Sequence, residues 1–116
     1  MKEENQINFN DFAKLDLRIG KIINVEDHPN ADKLYVLTIN FGNEIGKRVI
    51  VAGLKPYYKK EDLKDKKAVF ITNLEPVTLR GIKSEGMILA ASTPDKSHIC
   101  ILKPDSEDIE EGSKIS

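Results

Sequence analysis

Within the first quarter of the chain the spacing of apolar residues changes period, and the change separates a helix from a strand. Phe9, Phe12 and Ala13 fall at helical spacing, and Asn8 before them suits an N-cap, whose side-chain oxygen accepts a free backbone N–H. This predicts a short amphipathic helix over Phe9–Leu15. From Leu17 the period is two: Leu17, Ile19, Lys21, Ile23 and Val25 share one face, and Arg18, Gly20, Ile22 and Asn24 the other. A long first strand follows, with Gly20 as its expected bend or bulge. A second strand fits Leu34–Phe41, and after the turn Gly42-Asn43-Glu44 a third fits Arg48–Ala52. Their close spacing makes a hairpin.

Between Gly53 and Lys67 a proline, two tyrosines and a charged run break the alternation, leaving room for one helical turn at Lys60–Leu63. A fourth strand fits Ala68–Asn73 and a fifth begins after Pro76. Three strands, a small helix and two strands is the order of a five-stranded oligonucleotide-binding (OB) barrel, so the expected class is all-β. An SH3-like barrel and a small sandwich use similar strands, and periodicity alone leaves both open. Two later runs, Met87–Ala91 and Ile99–Leu102, are apolar on both faces, so their outer face needs a cover. A second copy of the chain, docked through the C-terminal strands, is the expected cover; the Phe9/Phe12 helix is the alternative.

The length, 116 residues and 13.0 kDa, suits one domain. Residues 1–8 read as a flexible N-terminus and 9–116 as the barrel domain, with a dimerisation extension from about residue 92. There is no leader-like segment and no apolar run near the roughly 18–20 residues that cross a bilayer, so a soluble, cytoplasmic protein is expected. The single Cys100, within Ile99-Cys100-Ile101-Leu102, is expected to be a buried thiol in a reducing compartment.

Net charge is only −1, but its distribution is uneven. Residues 1–44 carry 5 basic and 8 acidic side chains, residues 45–83 carry 10 and 4, and residues 84–116 carry 3 and 7. A basic middle third between acidic flanks can neutralise a few phosphates without attracting every polyanion. The lysines from Lys59-Lys60 to Lys66-Lys67 fit such a patch and fit a solvated turn equally well.

No catalytic set is visible. His28 and His98 are far apart with no neighbouring Cys or His to share a metal, and glycine-rich phosphate loops and nucleophile elbows are absent. Glu61, Asp62 and Asp65 lie among lysines as surface pairs. A binding protein without metal or cofactor is expected. Two polar turns supply the candidate chemistry: His28–Leu34 between the first two strands, and the segment from Asn73 to Met87. On an OB barrel these loops lie at one edge, where nucleic acid docks. Lys33 suits a phosphate, and Arg80 offers a planar fork for phosphate or a face for a base. Asn73 and Ser84 can bond base edges or the 2′-hydroxyl, and Met87 can lie against an unstacked base or ribose.

Asp11-Phe12, Leu15–Ile22, Val25-Glu26, His28–Leu34, Val51-Ala52-Gly53, Tyr58, Asn73-Leu74, Pro76, and Gly81 through Ser84–Met87 to Ala90-Ala91 together resemble the tRNA-binding domain. That family is found at the C-terminus of methionyl-tRNA synthetases, in yeast and animal synthetase cofactors, and as free-standing tRNA-binding proteins. The resemblance runs from about Phe9 to the C-terminus. It implies an OB fold, a dimer built through terminal extensions, and binding to the outer corner of folded tRNA without strong sequence choice. Its RNA-contacting pattern falls on Lys33, Asn73, Arg80, Ser84 and Met87. Thr78 departs from it, standing where many members carry a basic residue, and Glu75 adds a negative charge nearby. The expected function is a non-catalytic tRNA-binding homodimer, acting alone or in trans as the beta subunit of a methionyl-tRNA synthetase. The alternatives are a secretion chaperone resembling CsaA, whose branch typically lacks the His28–Leu34 and Ser84–Met87 segments, and a purely dimerising synthetase subunit.

Overall fold

The computed structural model describes residues 5–116; of the segment read as a flexible N-terminus, residues 1–4 lie outside the described residues. The described elements run α1 (Phe9–Ala13), β1 (Leu17–Asp27), β2 (Tyr35–Asn40), α2 (Gly42–Ile45), β3 (Lys47–Ala52), α3 (Lys60–Leu63) and β4 (Lys67–Ile71). They continue with β5 (Val77–Leu79), β6 (Ile82–Ser84), β7 (Met87–Ile88), β8 (Ala90–Ser92) and β9 (Ile99–Ile101). None of these helices is long and apolar enough to cross a membrane.

Five antiparallel strands in the order β3-β2-β1-β4-β7 form a nearly closed barrel. Its two edges approach where Glu85 N–H donates to the Val49 carbonyl at 2.9 Å. This is the expected OB-type barrel, with β1 serving both β2 and β4, but its fifth strand is β7: the run after Pro76, the expected fifth strand, pairs with β6 in a separate two-stranded sheet. Phe41 and Phe70 meet edge-on inside it, ring centres 5.3 Å apart, among fully buried Ile22, Leu37, Ile39, Ile50 and Leu63.

The expected facing of β1 holds only for its first residues. The β1–β2 register shifts between Ile22 and Asn24, which makes Ile23 the extra residue of a bulge. Alternation puts Ile22 on the face of Gly20, inside the barrel, and the inserted Ile23, half-exposed, brings Val25 to that same face instead of the opposite one. Gly20 is not the bulge. It admits neighbours instead: a Cβ there would lie 2.5 Å from Ile39 Cγ2 and 2.7 Å from Phe41 Cε1.

Where β2 ends, the C-terminal tail takes its place beside β1. Ile19 N–H donates to Ser113 O at 2.9 Å, Gly112 N–H to Ile19 O at 2.8 Å, and Ile115 N–H to Leu17 O at 2.9 Å. Lys67 Nζ donates to the carbonyls of Glu107 and Ile109, both at 2.6 Å, and Arg18 donates to that of Gly112 at 3.0 Å. Arg18 also bonds Asp16 and Glu44, and its bond to Asp16 holds that carboxyl below the usual carboxylate range.

Helix α1 begins as expected, with Asn8 Oδ1 accepting Asp11 N–H at 2.9 Å. Phe9, Phe12, Ala13 and Leu15 share an apolar cleft with Lys114, Ile115 and Ser116, so the helix adjoins the tail. The β8–β9 hairpin forms its own two-stranded sheet. It is fastened by Val69 N–H to Leu102 O at 3.0 Å and by Ile101 N–H to the Tyr58 hydroxyl at 3.1 Å. Its outer face is uncovered: Ile101 is buried, whereas Cys100, its cross-strand partner Ala91, and Leu102 are exposed. Cys100 is therefore an outward-facing thiol rather than the buried one expected, because alternation along β9 puts it opposite Ile101's direction.

Candidate nucleic-acid interface

The β1–β2 loop folds back through His28 N–H donating to Leu34 O at 3.1 Å. His28 is 5% exposed, and both ring nitrogens are engaged. Nδ1 accepts Asn30 N–H at 3.0 Å, so the ring proton lies on Nε2, which donates to the Leu79 carbonyl at 2.9 Å. Leu79 ends β5. One loop is thereby tied to the other, 51 residues away in sequence. Lys33 stands exposed on the first loop.

Strands β5 and β6 pair Val77 with Ser84, Thr78 with Lys83 and Leu79 with Ile82, leaving Arg80-Gly81 as a two-residue turn. Both turn residues are left-handed, with φ of 51° and 92°, as a type I′ hairpin requires. Arg80 is thus held at the exposed tip. Lys83, exposed beside it, lies cross-strand from Thr78, so the face that lacks a basic residue at 78 still carries a cation. None of Lys33, Arg80 and Lys83 is ion-paired to a described carboxylate.

Lysines of the basic middle third behave differently from one another. Lys60 and Lys55 meet Asp27 at 2.9 and 3.1 Å, and these bonds hold the Asp27 carboxyl below its ordinary range, that of Lys60 contributing most. Lys67 is committed to the tail. Part of the lysine cluster therefore serves the fold, while Lys59, Lys64 and Lys66 remain exposed.

The other candidates have backbone partners. Asn73 Oδ1 accepts Asp16 N–H at 2.9 Å and its Nδ2 donates to Lys14 O at 2.6 Å, bonding the β4 exit to the α1–β1 linker. Ser84 is 2% exposed; its Oγ accepts Val51 N–H at 2.9 Å and donates to Gly86 O at 3.2 Å. Met87 is 48% exposed and pairs with Ile71. Arg48 donates to Thr72 O and, at 3.4 Å, to Glu85 O, clamping both feet of the 73–86 segment. Sequence reading assigned no role to Arg48 or Lys83 and considered His28 only as a metal ligand. The one available signal for His28 was a lone polar ring opening the turn between two apolar strands.

Ser84→Ala would leave the buried Val51 N–H without its partner. A loss of ~1–3 kcal/mol is expected in urea unfolding. A smaller loss than Thr78→Ala, an exposed change nearby, would contradict this placement.

A family model described as "Putative tRNA binding domain" matches residues 17–114. A methionine–tRNA ligase of Pyrococcus horikoshii is 52% identical over 114 residues, covering 98% of this chain and 15% of that protein, so the chain spans only a small part of this relative. Among solved structures, a protein titled "MetRS related protein" from Pyrococcus horikoshii superposes with a TM-score of 0.89 at 28% identity, covering 97% of this chain and 99% of that one. The CsaA chaperone protein of Picrophilus torridus superposes with a TM-score of 0.86 at 38% identity, covering 96% and 100%.

Proposed function

The chain belongs to the tRNA-binding domain family and is a non-catalytic binding module, and from that premise we propose that it recognises folded tRNA as a homodimer. It acts alone or in trans as the tRNA-binding subunit of a methionyl-tRNA synthetase, the relation suggested by the ligase it resembles. The observation that carries the reading is the joining of two loops that each present a cation without a carboxylate partner among the described residues, Lys33 and Arg80. In this reading Lys33, Arg80 and Lys83 meet phosphates and Met87 lies against a base or ribose. Asn73 and Ser84 shape the loop through their backbone bonds, and the cellular site is the cytoplasm. Lys83→Ala is expected to weaken tRNA binding about tenfold, roughly one charge-assisted contact, with the log–log salt slope reduced by about one.

The function itself is tested by titrating folded tRNA, heat-denatured tRNA and a single strand of equal length at two salt concentrations. Selective binding to folded tRNA, with a log–log slope of roughly −2 to −4 for about three or four phosphates, supports it. Equal affinity for all three sinks shape recognition. The homodimer would use the exposed face of the β8–β9 hairpin, with Ala91, Cys100 and Leu102, together with the extension from about residue 92 to 116. Light scattering at micromolar concentration should return twice 13.0 kDa for this chain. The likeness to CsaA favours a second reading, capture of unfolded polypeptide. Competition between tRNA and an unfolded precursor for the same protein separates the two.

A further inference from the structure

His28 bonds together the loops that carry Lys33 and Arg80, and its role toward them rests on the RNA-binding reading above. We propose that His28 is a positioning residue that sets the spacing of Lys33 and Arg80, so that both cations engage one RNA without a prior loop rearrangement. The β5–β6 hairpin is a separate two-stranded sheet lying against β3, and the hydrogen bonds of Arg48 and Ser84 fasten it at its feet, away from the Arg80-Gly81 tip. Its tip would otherwise pivot relative to the β1–β2 loop. His28 removes that freedom where it matters, because Leu79, whose carbonyl accepts the Nε2–H, is the residue before Arg80. The Asn30 N–H bond to Nδ1 sets the tautomer that makes Nε2 the donor. Two cations on pre-spaced loops bind more tightly than the same cations on mobile ones, since ordering is completed before the ligand arrives.

A purely structural histidine would be replaceable by any residue that restores stability. The two nitrogens allow a sharper distinction. Glutamine at 28 can place an amide N–H near the Nε2 position and keep the bond to Leu79, whereas asparagine can replace Nδ1 as acceptor for Asn30 but falls short of Leu79. His28→Gln is therefore expected to hold folded-tRNA affinity within about twofold of the parent, and His28→Asn to weaken it ~tenfold through loss of preorganisation. In His28→Asn the salt slope stays that of the parent, because no phosphate contact is removed, while Lys33→Ala lowers the slope by about one. A second measurement needs no RNA: the amide resonances of Arg80 and Gly81 should shift in His28→Asn and stay near the parent positions in His28→Gln. Equal affinity losses in both variants, no loss in either, or unmoved tip amides in His28→Asn overturn the positioning role. If the tip amides respond as stated but the parent binds no tRNA, the linkage between loops exists and the RNA-binding reading is what fails, taking the proposed role with it.

Discussion

Replacing Lys33 with alanine and Arg80 with asparagine in one protein is expected to weaken folded-tRNA binding roughly 100-fold while leaving thermal stability nearly unchanged. Neither cation has a carboxylate partner among the described residues, so neither removal leaves a charge unpaired in the fold. Asparagine is chosen at 80 because φ there is 51°, a left-handed value that asparagine tolerates, which keeps the type I′ turn intact. A charge-assisted hydrogen bond is worth about 1.5–3 kcal/mol, and the lower value suits exposed groups, so the pair supplies ~3 kcal/mol. Every 1.4 kcal/mol is about tenfold in affinity, which gives the stated factor. Removing two of about three or four phosphate neutralisations would bring the log–log salt slope about two closer to zero. Arg80→Lys alone should recover only part of the affinity, because an ammonium keeps the charge but not the planar fork. Unchanged affinity in the double variant would remove the foundation of the proposed interface.

The largest loss of stability should come from a position away from that interface. Gly112→Ala is expected to destabilise the domain by ~3 kcal/mol or more, which for a domain of this size lowers Tm by roughly 12 °C or more. Gly112 has φ of +90°, and a Cβ there would collide with the Phe41 carbonyl oxygen. Gly42 faces the tail in the same way: at φ of +84° its Cβ would lie 2.7 Å from the Glu111 carbonyl. Two backbones pass with no room for a side chain between them. Moving the tail aside would also break its three backbone bonds to β1 and expose Leu17 and Ile19, both buried now. Gly46→Ala is the control, since Gly46 has φ of +82° but nothing within 4 Å of a Cβ. It should cost only the strain of an alanine in backbone that glycine alone favours, with ψ at −152°, about 1–3 kcal/mol and less than Gly112→Ala, which adds the collision. Equal losses in the two variants would mean that close packing of the tail contributes nothing.

These expected effects draw on residues of unequal legibility. Arg80 and Lys33 were readable as candidate contacts because exposed cations in turns between apolar strands stand out in any pattern of hydrophobicity. Ser84 and Asn73 were readable only as polar residues in a loop. Nothing local distinguishes a serine that faces solvent from one whose Oγ accepts the Val51 N–H 33 residues away, or an asparagine bonded to Asp16 across 57 residues. The same limit applied to the tail, whose glycines matter through the chain they pass rather than through their neighbours in sequence.

The helix at Phe9, the first four strands and the basic middle third are all written locally in the chain. Each follows from dihedral preference, side-chain period or charge within a few residues. The entry of Val25 into the core on the same face as Ile22 is settled only on folding, because a bulge shifts all later facing by one residue. The outward direction of Cys100 is settled there too, since which face of a wholly apolar strand is covered depends on what packs against it. So is the joining of two loops by His28, because a ring nitrogen takes whichever carbonyl the fold brings within hydrogen-bonding distance, and that carbonyl belongs to a distant strand.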